Sequence, residues 1–237
     1  MILAVVQARM SSSRLPGKVM KPILGRPMVA RQMDRLARCT LIDKLVLATS
    51  REASDDPLEA LATQEGWRCY RGTLDDVLDR FAGAAIAHGP AAHIVRLTAD
   101  CPLIDPAIVD QTVARHLATG ADYTSNALPG QRTFPDGFDT EVMTAAALAR
   151  AAREATTKPN REHVTPYFYE NPQLFKLAGL TQHRQLGDLR WTVDTARDFD
   201  FATAVFAELL PVNPTFGQDD ILALLTRRPD LARINTL

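Results

Sequence analysis

Short apolar runs alternate with helix-spaced segments through the first half of the chain. Ile2 to Gln7 is a compact apolar run, and Met28, Met33 and Leu36 then mark helical spacing across residues 28 to 38. A second run, Lys44 to Ser50, leads into Asp55-Asp56-Pro57, where acids and a first-turn proline open a helix. Trp67 to Tyr70 reads as a third strand, and residues 75 to 88 as a third helix with Thr73 as its N-cap. His93 to Thr98 is a fourth strand, and Asp105-Pro106 begins a fourth helix that runs to about Ala118. This alternation predicts an α/β protein with a mostly parallel central sheet and helices on both faces, a three-layer α/β/α arrangement. Ligands of such sheets sit beyond the carboxyl ends of the strands. The informative loops are therefore residues 8 to 26, 50 to 55, 71 to 75 and 99 to 105.

The second half is less regular. Residues 121 to 126 read as a strand, 128 to 137 as a turn-rich loop, and FDTEVM (138 to 143) as another strand. Helices are expected over 145 to 155, 161 to 170, 198 to 209 and 217 to 227. No repeat or linker divides the chain, so residues 1–237 read as one domain, with about 128–180 as a lid or dimerisation extension.

Composition narrows the function classes. Hydrophobic residues make up 46% of the 237 positions and charged residues 23%, as in an ordinary globular protein. The formal net charge of −1 gives no general attraction to nucleic acid, so phosphate binding must come from locally placed cations. No apolar stretch reaches the ~18 residues that span a bilayer, and no signal-peptide pattern opens the chain. Cys39, Cys69 and Cys101 are odd in number and far apart, which disfavours a disulfide framework or zinc site and fits the cytoplasm.

The chemistry begins after the first strand. The loop carries Arg9, Arg14, Lys18 and Lys21, three serines and Pro16-Gly17, with no acid. It matches neither a Walker A loop nor a dinucleotide-binding turn. Guanidinium forks and a movable ammonium suit direct phosphate contact, against the alternative of a solvated basic loop. Asp100 lies just past the fourth strand at the same end of the sheet, where one or two carboxylates plus phosphate oxygens suit Mg²⁺. Asp194 follows Trp191-Thr192-Val193, read as a short strand, and is the matching second carboxylate; Thr195 caps the next helix. Asp139 and Glu141, two apart, share one strand face, to orient sugar hydroxyls, to hold a metal, or simply to meet solvent. Arg161 and His163 stand near a helix start, where they fit an anionic substrate or a structural role.

These segments together resemble a known group. QARMSSSRLPGKVMKPILGRPM is similar to the N-terminal signature of sugar cytidylyltransferases, the CMP-Kdo and CMP-N-acetylneuraminate synthetases. With YRGTLDDVLDRF, RLTADCPLID, DGFDTEV, REHVTPYF and WTVDT, nearly the whole chain resembles the spore-coat polysaccharide branch of that superfamily, often called glycosyltransferase-like. The resemblance implies a nucleotide-diphospho-sugar transferase fold. It implies CTP held by Arg9, Arg14, Lys18 and Thr98, with the base against the backbone near Ala8 and the Arg71-Gly72 turn. It implies Mg²⁺ at Asp100 and Asp194, with Arg14, Lys18 and Asp100 as the catalytic groups. The implied reaction activates an acidic sugar or related acceptor with CTP, releasing pyrophosphate, in surface polysaccharide synthesis; the alternative is glycosyl transfer from a nucleotide-sugar. A homodimer is also implied, and residues 128 to 143, which combine turn residues with an apolar strand, are its expected interface.

Overall fold

In the computed structural model, which describes residues 1–235, seven strands form one sheet in the order β5-β4-β1-β6-β8-β7-β9. The strands are β1 (Ile2–Gln7), β4 (Lys44–Ser50), β5 (Arg68–Gly72), β6 (His93–Thr98), β7 (Tyr123–Ser125), β8 (Glu141–Thr144) and β9 (Leu177–Gly179). A small antiparallel pair, β2 (Pro22–Ile23) and β3 (Arg26–Pro27), stands apart from the sheet. Within the sheet only β8 runs against its neighbours. The expected mostly parallel α/β sheet is thus what the chain forms.

Strand alternation divides the apolar residues between two cores. Ala4 and Val6 of β1 pack on one face with Met33 and Leu36 of α1 (Met28–Leu36), Leu58 of α2 (Asp56–Gln64), Val109 of α4 (Pro106–Thr119) and Phe201 of α8 (Ala196–Leu209). Leu3 and Val5 point the other way, against Phe81 of α3 (Val77–His88), Leu148 of α5 (Ala145–Glu154) and Phe168. Both faces are covered, which is why β1 is apolar at nearly every position. Among the described residues, no helix is long and apolar enough to cross a membrane.

The connectivity sets where a ligand can go. From β1 the chain moves outward through β4 to β5, then returns to β6 on the opposite side of β1. The crevice outside the carboxyl ends of β1 and β6 is therefore the switch point of the sheet.

Several local expectations are corrected. Residues 191 to 193 are not a strand. Trp191 N–H donates to Asp136 O (2.6 Å) and Val193 N–H to Asp100 O (2.8 Å), so two unrelated segments share the pairing and no ladder forms. The helix expected over 161 to 170 is two short ones, α6 (Lys158–His163) and α7 (Pro166–Tyr169). Val164 between them has φ of 70°, outside helical space, and Pro166 follows. Asp76, not Thr73, caps α3 by accepting from Asp79 N–H; the Thr73 hydroxyl donates to Asp76 O. The 138–143 strand shrinks to β8, leaving Asp139 in a loop. β9 and the β2–β3 pair were not read from the sequence, being too short for a periodic signal.

Asp55, at the end of the 3-10 turn between β4 and α2, anchors the basic loop. Its fully buried carboxylate accepts from Met10 N–H (2.8 Å), Thr49 Oγ1 (3.0 Å), Ser50 N–H (3.1 Å) and Ser50 Oγ (2.5 Å). Burial opposes its charge, but these donors outweigh burial and hold the carboxyl below its ordinary value. With the folded value depressed, its stabilisation is complete above the unfolded value of about 3.9 and is lost as pH falls through the folded value. Asp55→Asn sets an amide NH₂ against these donors, and we expect it to cost about 1–3 kcal/mol near pH 7. The loss should shrink below pH 4 in urea unfolding across pH; an equal loss at pH 3 and pH 7 would contradict the ionised network.

Candidate active site

The loop after β1 closes on Met10, whose carbonyl accepts from Ser12 N–H and Gly17 N–H, each at 2.9 Å. Gly17 has φ of 68°, a left-handed conformation cheap only for glycine. From there a 3-10 turn, Lys18–Met20, carries Lys18 down towards the carboxyl ends of β1 and β6.

Lys18 ends in a nest of oxygens. Its Nζ donates to Val193 O (2.6 Å), Asp194 Oδ1 (3.1 Å) and Asp100 Oδ2 (3.3 Å), and only 9% of its side chain is exposed. A buried ammonium needs such compensation. The two carboxylates are brought to it by backbone stitching: Asp100 O accepts from Val193 N–H and Thr192 Oγ1 (3.3 Å), so the turn after β6 and the segment before α8 are held together. Thr195 and Asp198 form a reciprocal capping box that fixes where α8 begins, directly after Asp194.

Asp194 is surrounded by cations. Arg14 reaches Oδ1 at 2.9 Å and Arg190 reaches Oδ2 at 2.8 Å. Burial works to raise its pKa, but Arg190, Lys18 and Arg14 prevail and the carboxyl lies below its usual range. Arg14 is 62% exposed on its side chain, so its pair with Asp194 is easily exchanged.

Lys18, Arg14, Asp100 and Asp194 line one cavity of about 300 Å³. Of the residues singled out from sequence, Ala8, Arg9, Arg14 and Lys18 lie on one wall. Thr98, Asp100, His163 and Asp194 complete the lining. Arg9 has no carboxylate partner there among the described residues. Ser12 and Ser13 also line it, and add hydroxyl donors to the cationic wall.

Other expected residues lie outside this cavity. The Arg71 side chain is bound to Asp56 (2.7 Å), Glu59 (2.6 Å) and the carbonyls of Ser50 and Glu52, which pin β5 to the start of α2. Gly72 beside it is required for packing: a Cβ there would lie 2.8 Å from Arg80 Cγ. Glu141 does not share a face with Asp139. It is buried, paired with Arg96 and accepting from Tyr123 Oη at 2.6 Å. Asp139 accepts a two-pronged pair from Arg132 at 2.6 and 2.7 Å. Arg161 is paired with Asp76 and donates to Ala152 O at 2.6 Å. Arg190 was not singled out from sequence, since nothing local distinguishes it from other arginines that flank helices.

The thiols offer no nucleophile. Cys101 is buried and its pKa is pushed well up, chiefly by burial; Cys39 is pushed up to about 12 for the same reason. The donor set for a divalent cation is instead oxygen. Among the described residues no group of three or more His, Cys, Asp or Glu is placed to hold a metal ion by itself. Two carboxylates that already converge on one positive centre match the one or two that Mg²⁺ takes alongside phosphate oxygens and water.

Comparison with known proteins agrees with this geometry. A family described as Cytidylyltransferase matches residues 3–212. Spore coat polysaccharide biosynthesis protein SpsF of Bacillus subtilis is 34% identical, covering 98% of this chain and 96% of its own length. A 3-deoxy-manno-octulosonate cytidylyltransferase of Geobacter sulfurreducens is 36% identical over 115 residues, 48% of this chain and 44% of that relative. A solved cytidylyltransferase from Leptospira borgpetersenii superposes with a TM-score of 0.92 at 30% identity, covering 100% of this chain and 98% of the other.

Proposed function

This chain belongs to the cytidylyltransferase family and is a nucleotidyltransferase, and we propose that it transfers CMP from CTP to an acidic sugar or related acceptor in surface polysaccharide synthesis. The observation that carries the reading is Lys18 Nζ within 3.3 Å of both Asp100 and Asp194, in a cavity shared with Arg9 and Arg14.

In this reading the triphosphate enters along the loop wall, and its oxygens replace Asp194 as the partner of exposed Arg14. Arg9 and Lys18 complete the cationic cradle. An acceptor oxygen attacks the α-phosphorus in line and gives its proton to solvent water, and pyrophosphate leaves with the bridging oxygen as the bond from that oxygen to the α-phosphorus breaks. Lys18 and Arg14 stabilise charge that grows on the leaving group, in a site where they are already oriented. Asp100 and Asp194 would hold Mg²⁺, which supplies charge neutralisation at the phosphates and acidifies the acceptor hydroxyl. Thr98 and Ala8, at the ends of β6 and β1, form the floor, and His163 faces the cavity from α6 on the acceptor side. Asp139 is within the acceptor-side loop, and its Arg132 pair must open for a sugar to reach it. The segment 128–180 serves as the lid of a single domain, and a homodimer through 128–143 belongs to the same reading.

Purified protein, Mg²⁺, each of the four ribonucleoside triphosphates and a panel of acidic sugars give the test. Pyrophosphate is expected with CTP and an acidic sugar. Transfer of sugar from a nucleotide-sugar, with no pyrophosphate from any triphosphate, would overturn it.

A further inference from the structure

Asp194 turns Oδ1 to the cavity cations Lys18 and Arg14 and Oδ2 to Arg190 behind it. Behind it, Arg190 donates from Nε to Asp198 Oδ1 (3.1 Å) and from one terminal nitrogen to both Asp198 Oδ2 (3.2 Å) and Asp194 Oδ2 (2.8 Å). Its other terminal nitrogen lies 3.5 Å from Asp136 Oδ2. Asp198 itself cannot shift: it is 3% exposed and accepts from Thr195 N–H (2.8 Å), Thr195 Oγ1 (2.9 Å) and Asp194 N–H (3.0 Å).

We propose that Arg190 is the positioning residue of Asp194, reserving Oδ2 for the protein so that Oδ1 alone serves the cavity. The inference rests on the nucleotidyl-transfer reading for its consequence. The guanidinium takes its position from the first turn of α8 through Asp198, and passes that position to Asp194. Neutralising buried Asp198 needs only the two bonds made to Asp198; those to Asp194 and Asp136 exceed that need. Oδ2 is held by a guanidinium that is itself fixed through Asp198, whereas the guanidinium on Oδ1 belongs to exposed, exchangeable Arg14. Freed, Asp194 can turn both oxygens into the cavity and grip a divalent cation with two instead of one. Tighter cation binding and slower transfer then go together, because the cation and the reacting phosphate lose their mutual placement.

Arg190→Lys keeps the charge but cannot span both carboxylates, and the ammonium stays with buried Asp198. Titration of Mn²⁺ against the nucleotide-free protein, read from the paramagnetic signal of the free ion, is compared with steady-state pyrophosphate release. For Arg190→Lys the Mn²⁺ dissociation constant should fall about threefold as a second oxygen joins the ligand set. Turnover should drop roughly 10–100-fold, with KM for CTP nearly unchanged. Arg190→Gln should behave alike; if it fails to fold, the lysine variant decides. Weaker Mn²⁺ binding in step with lost turnover, or no Mn²⁺ uptake by either protein, would overturn the proposal, since a merely structural arginine gives the first result. If the wild type releases no pyrophosphate from any triphosphate, the transfer reading fails, and the Mn²⁺ comparison still decides the role of Arg190.

Discussion

Lys18→Met will leave a folded protein that releases pyrophosphate roughly 100–1,000-fold more slowly than wild type, a loss of about 3–4 kcal/mol at the transition state. Methionine keeps an unbranched, flexible apolar stem at this buried position. What disappears is the ammonium that touches Val193 O, Asp194 and Asp100. Asp194 keeps Arg14 and Arg190, and Asp100 is part-exposed to water, so neither carboxylate is stranded in a dry interior. The thermal midpoint should therefore move by only a few degrees, in line with a change of about 1 kcal/mol. KM for CTP should rise less than turnover falls, because the lysine acts most on charge that develops as pyrophosphate departs. Wild-type turnover in this variant would remove Lys18 from the mechanism.

The second large effect is structural and lies far from Lys18 in sequence. Gly137 has φ of 110°, and a Cβ there would sit 2.5 Å from Thr192 N and 2.6 Å from Trp191 C. Both obstacles are backbone and belong to the segment that carries Asp194. Gly137→Ala must either push that segment off Asp136 or abandon its own conformation, and a loss of about 3 kcal/mol or more is expected in urea unfolding. Gly130→Ala is the control: its φ is 76° but no atom lies within 4 Å, so only the conformational cost of about 1 kcal/mol remains. Equal losses in the two variants would show that the close approach to Thr192 carries no energy. If Gly137→Ala also loses turnover beyond its loss of folded protein, the same contact positions Asp194.

Much of the frame is legible in the amino-acid sequence. The boundaries of β1, β4 and β6 follow the apolar runs, because strands buried on both faces leave continuous hydrophobic signatures. Thr195 and Asp105-Pro106 mark helix starts through capping chemistry that is entirely local. The cation-rich, acid-free loop after β1 likewise showed where to look. Residues 191 to 193 misled because an apolar triplet is shared by strands and by buried irregular chain. Val164 split a helix through a backbone conformation that composition does not encode.

Residue order alone thus determined the layered architecture, the loops at the carboxyl ends of the strands and the cations that one of them carries. Periodicity, capping and turn chemistry act over a few neighbouring residues, and those residues are all adjacent in the chain. Tertiary structure alone decided which charges meet. Lys18 joins carboxylates 82 and 176 positions away, while Arg161 and Glu141, also charged and singled out, pair with Asp76 and Arg96. Ion pairing depends on distance in space and on burial, and both are set by how the layers stack.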